Sequence, residues 1–258
     1  MGTVAVQDSR PIKIQMLLTD AWRICWKNPR DYFGMAAIIS LAPLALGLLS
    51  MARDSKDLMS PRNLFPGLLQ LVLIIVTVLY IIYMLGAYTL LAAGSLSGHP
   101  MRWTAAISWL REREMFSGVL LVVVLQALTV LGGLLLLVVP GIIFAVLFML
   151  VIPARVLGDH SSRRALSESA RIVRPVLFRG ALSFSGLLFI PWAILLIVQV
   201  IFGVIYGAAS TTPVRVLPPA LFTYLVTVLW VPIDGVAHAL LYIERSGGLS
   251  AQRPDIFL

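Results

Sequence analysis

Residues 116–154, FSGVLLVVVLQALTVLGGLLLLVVPGIIFAVLFMLVIPA, carry no charge, and their reading decides the architecture. At about 1.5 Å per residue, one helix over them would reach nearly twice the roughly 30 Å of a bilayer's hydrocarbon core. Gly132-Gly133 and Pro140-Gly141 offer the break, because both residue types weaken a helix interior. The stretch therefore reads as a tight hairpin of two spans turning near 138–140. A single kinked, tilted helix fits less well and leaves five spans in the chain.

Working outward, the same phrase recurs. A basic amphipathic segment ends in an aromatic-to-glycine step at Tyr32-Phe33-Gly34, at Phe116-Ser117-Gly118 and at Phe178-Arg179-Gly180. An apolar run follows each, and a second apolar run opens with proline at Pro66, Pro140 and Pro219. The expected fold is an all-α integral membrane protein with six transmembrane helices. They form three repeats, each an interfacial amphipathic helix plus a helical hairpin. The spans are expected at about 33–51, 68–93, 117–138, 141–157, 181–208 and 220–243. The repeats cover about 12–93, 99–157 and 161–245 of one membrane domain over 1–258, with 246–258 as a tail. A pseudo-threefold axis would relate them.

Composition agrees with this class. Apolar residues make up 59% of the chain and charged ones 12%, far from the balance of a soluble domain. The first 30 residues are basic and amphipathic, unlike a signal peptide. The lone Cys25 rules out an internal disulfide. Of the 20 lysines and arginines, only Arg53, Lys56, Arg62 and Arg215 fall in the loops on one side of the spans. The rest gather on the other, so the positive-inside rule places both termini in the cytoplasm. The net charge of +8 then follows from topology and attraction to anionic headgroups, and calls for no nucleic acid.

The basic segments read as surface helices. In the first, Ile14, Leu17, Leu18, Ala21, Trp22, Cys25 and Trp26 follow the helical rhythm, with Trp22 and Trp26 placed to anchor at the acyl boundary. In the second, Trp103, Ala106, Ile107 and Leu110 form the stripe, Thr104 is a candidate cap, and Trp103 is a third anchor. Arg102, Arg111 and Arg113 flank it. The third starts at Ser161 or Ser162, shows Leu166, Ala170 and Val173 on one side, and stops at Pro175. Arg163, Arg164, Arg171 and Arg174 share another side, with Arg179 beyond. These arginines are either elbows that satisfy the inside rule or contacts for phosphate headgroups or a partner.

Asp234 is the one acidic residue of the 12 placed inside a span. It lies about 15 Å from Glu244 along the helix, with His238 one turn later on the same face. Gln126, Gln199, Thr129, Thr223 and Thr227 are candidate hydrogen-bond partners within the spans. An acid at that depth is either held as structural glue, near the carbonyl that Pro232 frees, or serves a proton or ion pathway. No phosphate-binding loop, zinc motif or nucleophile elbow occurs, and His99 and His160 lack further ligands. Neither metal nor cofactor is expected, and an enzyme is disfavoured.

Pro140-Gly141-Ile142, Pro153, and then Ala165-Leu166-x-x-Ser169-x-x-Ile172-Val173 resemble the bacterial glycerophosphodiester phosphodiesterase membrane-domain-like family of six-span proteins. Leu241-Tyr242-Ile243-Glu244-Arg245 resembles that family's closing segment, and the helix at 17–26 its opening one. The tail departs, with Ser246-Gly247-Gly248 where charge is expected, and the phosphodiesterase domain of some relatives is lacking. The resemblance implies a bacterial inner-membrane protein and no hydrolase activity. The expected function is non-enzymatic engagement of anionic phospholipid, a protein partner or a second copy through the basic helices, in envelope homeostasis or as an accessory subunit. The alternative is a small proton-coupled transporter or permease using Asp234 and His238.

Overall fold

The computed structural model describes residues 12–51, 84–113, 115–207 and 217–247. Every regular element among them is helical. The helices are α1 (Ile14–Lys27), α2 (Pro29–Met51), α3 (Met84–Leu96), α4 (Trp103–Glu112) and α5 (Met115–Leu136). They continue with α6 (Val138–Leu147), α7 (Val151–Leu157), α8 (Ser162–Val173), α9 (Leu182–Gly207) and α10 (Leu217–Arg245). Among the described residues, Val138–Leu157 and Leu221–Arg245 are long and apolar enough to cross a membrane, and α4 with α5 would make a third if that bent pair is one span. The start of the second expected span, the loops at 52–67 and 208–216, and the tail beyond 247 lie outside the described residues.

The hairpin in 116–154 is present. α5 ends at Leu136, Leu137 is extended (φ −164°, ψ 147°), and α6 begins at Val138, slightly ahead of the expected turn. The arms touch where both lack side chains: a Cβ on Gly133 would sit 2.9 Å from the Gly141 Cα. The span expected at 141–157 falls within Val138–Leu157, with its helical pattern interrupted at 148–150 between α6 and α7. The side chain of Ser169 joins the parted ends, donating to the Leu147 carbonyl (2.8 Å) and accepting from the Leu150 N–H (3.2 Å). Broken helices need such a partner for the freed backbone groups.

α3 is the centre. Met84, Ala87, Tyr88, Leu90, Leu91, Ala92 and Ala93 are all buried, which is what an apolar-all-round helix requires. Tyr88 stacks on Tyr32 of α2 and donates to its carbonyl. On another side, Gly235 of α10 brings its backbone against the Tyr88 ring. α10 also packs along α1 and α2, joining the two ends of the chain.

The amphipathic helices hold, with corrections. α1 buries only Leu17, Ala21 and Cys25, leaving Trp22 and Trp26 exposed in an edge-to-face cluster with Phe33. α4 meets the following helix at 89°. Thr104 is not its cap: the helix already starts at Trp103, whose N–H donates to the Asp31 carboxylate of α2 at 3.2 Å. An acidic group suits the positive end of a helix. α8 buries Ala165, Ser169, Ile172 and Val173, so the face lies one step round from Leu166 and Ala170, which are half-buried. The need to seat Ser169 against the α6–α7 break sets that rotation.

Candidate functional site

Three of the polar residues expected within the spans, Asp234, His238 and Gln126, converge on one cavity of about 440 Å³. α10 supplies Asp234 and His238, α5 supplies Gln126, α3 supplies Thr89 and α9 supplies Ser185. Between these the wall is apolar, from residues such as Val130, Leu188 and Phe189. Residues of α6 and α7, among them Ala145 and Ile152, complete the described lining.

Asp234 and His238 are neighbours by helix geometry, one turn apart. The His238 Nδ1 is 2.9 Å from the Asp234 main-chain oxygen and 3.4 Å from its carboxylate. Facing a carbonyl, which only accepts, Nδ1 carries a proton there. The ring is further held edge-on to Phe184. Both side chains remain about one-fifth exposed, on the cavity side of the bundle.

Of the other expected partners, Gln126 reaches the site. The side chain of Gln199 lies outside the described residues. Thr129 and Thr227 donate to the carbonyls of Leu125 and Thr223 in their own helices, and neither lines the cavity. Thr89 and Ser185 do, although the sequence reading passed over them. A hydroxyl inside an otherwise apolar span is the signal that marks them. Their protons are committed, Thr89 to the Leu85 carbonyl (2.9 Å) and Ser185 to the Met149 sulfur (3.1 Å).

The arginines stand apart from this cavity. Arg163 and Arg164 of α8 and Arg174 just past its end are exposed, as are Arg102, Arg111 and Arg113 around α4. Arg113 lies over the Trp109 ring, 4.9 Å from its centroid. Arg171 is exposed as well and is held by Glu168 in a two-point pair, which raises its pKa further. The side chain of Arg179 lies outside the described residues. Arg155, absent from the expected set, tucks against Gly118 and is the more buried cation, pairing with Asp159 at 3.7 Å.

Burial lowers the pKa of His160 in the loop before α8. Among the described residues no three His, Cys, Asp or Glu side chains gather as a metal site. Compared with known proteins, the chain matches no family model, no curated protein and no solved structure.

Proposed function

We propose that the chain is a small, non-enzymatic transporter of the bacterial cytoplasmic membrane that binds its solute in the cavity at Asp234. The observation that carries this is the convergence of Asp234, His238 and Gln126, from two distant helices, on a space of about 440 Å³. That volume falls within the usual size of small-molecule sites. A carboxylate kept inside a span is costly, and facing a cavity is the usual way that cost is offset. The reading retains six spans in three units, with both termini cytoplasmic on the charge rule.

The test is access to the cavity from each side. Ala127 lines it, so an Ala127→Cys variant on a Cys25→Ser background gives one reporter thiol. A membrane-impermeant methanethiosulfonate reagent should label it from either face of sealed, oriented vesicles. Labelling from one face only would reduce the protein to a binding module, and none from either face would sink the reading.

A second reading rests on a separate observation. Arg163 and Arg164 on amphipathic α8 and Arg174 at its end are exposed, as contact with anionic headgroups or a protein partner requires. Replacing the three with glutamine should weaken retention of anionic lipid in native mass spectrometry while leaving insertion intact. Unchanged retention would discard this role.

A further inference from the structure

We infer that the cavity takes an amphipathic organic amine, its ammonium on Asp234 and its apolar body along the remaining wall; this rests on the transporter reading above. The argument is one of donors and acceptors. Three of the polar groups around the cavity have already spent their protons inside the protein. His238 Nδ1 faces the Asp234 carbonyl, Thr89 donates to Leu85, and Ser185 donates to Met149. What Thr89 and Ser185 leave are two hydroxyl oxygens, both acceptors. Asp234 adds carboxylate oxygens, and Gln126 alone brings side-chain N–H groups.

Among the described residues no lysine or arginine lines the space. The site therefore lacks what an anion needs and has what a donor-rich cation needs. A hard divalent ion is a poor match, because it demands about six or more oxygen ligands and tolerates few apolar neighbours. An ammonium asks for three acceptors. The rest of the ligand must be apolar to match Val130, Leu188, Phe189 and Leu85.

Three probes of one shape separate the classes: 4-phenylbutylamine, 4-phenylbutanol and 4-phenylbutyrate. Each is tested for protection of the Ala127→Cys thiol against the methanethiosulfonate reagent, and for thermal stabilisation of the unmodified protein in nanodiscs. The amine should act at a concentration about tenfold or more below the other two, as expected for a charge-assisted hydrogen bond. Asp234→Asn should remove that advantage and Asp234→Glu should keep part of it. Equal action of all three probes, or a preference for the acid, overturns the amine assignment and leaves the cavity reading intact. A thiol that labels freely and is protected by none of them also overturns it. A thiol that never labels, with no stabilisation by any probe, is instead the failure of the transporter reading itself. The comparison of probes on the unmodified protein holds even if the Asp234 variants do not fold.

Discussion

His238 Nδ1 sits 2.9 Å from the main-chain oxygen of Asp234, so the residue that follows the acid by one turn is locked to it through the backbone. The lock orients the ring whatever the carboxylate does. Replacing His238 with leucine removes this bond and the edge-on contact with Phe184, at a cost of about 1–3 kcal/mol. Unfolding in mixed micelles should show that loss, and His238→Gln, which keeps an N–H donor, should recover part of it. Equal stability of all three proteins would mean that the bond contributes nothing.

Ser169 carries the second prediction. Its hydroxyl serves both ends of the α6–α7 break, and the residue is fully buried. Ser169→Ala should cost about 1–3 kcal/mol, the range for leaving buried backbone groups unsatisfied. Ser169→Cys, similar in size but a weak partner, should fall between. A neutral alanine variant in a thermal unfolding assay would show that the break satisfies itself.

Two glycines of the repeated phrase, Gly34 and Gly180, and Gly133 of the hairpin should respond differently to alanine. Gly34 has open space around a new Cβ, so Gly34→Ala should be neutral or stabilising by up to about 1 kcal/mol. Gly180 has φ 151°, and Gly180→Ala should destabilise by about 1 kcal/mol or more. Gly133→Ala drives a methyl group into the backbone of Gly141 and should force the hairpin apart. The ranking can be read from melting temperatures in one detergent; a uniform response would contradict the packing.

Cys25 is buried between α1 and its neighbours, and burial pushes its thiol up to about 12. At pH 8 the thiolate, which is the reactive form, is scarce. Iodoacetamide should therefore leave the native protein unmodified over an hour and label it quickly in denaturing detergent. Rapid labelling of the native protein would show that α1 lifts away from α10.

Much of this was legible in local pattern. The hairpin of α5 and α6 follows from an uncharged run too long for one span, with glycines placed where the arms touch. Asp234 and His238 share a face because they are four residues apart, and the Trp22 and Trp26 pair follows from helical spacing. What stayed hidden depends on partners far away in the chain. Asp31 caps α4 from 72 residues earlier, and Ser169 mends a break 19 to 22 residues earlier. Thr104 made the better local cap, yet the helix begins one residue ahead of it. The membership of the cavity, above all Thr89 and Ser185, emerges only when helices from both ends of the chain meet.

The burial of α3 has a bearing on how the protein is made. Tyr88 rests on Tyr32, synthesised before it, but also on Gly235, synthesised long after. A ribosome that has threaded the first half of the chain into the bilayer has therefore produced a helix whose final surroundings do not yet exist. Until α10 emerges, lipid must stand in for it, and the nascent protein is a loose assembly around an uncovered centre. A chain cut short before α10 should therefore leave Tyr88 without one of its packing partners, whatever the quality of its earlier helices.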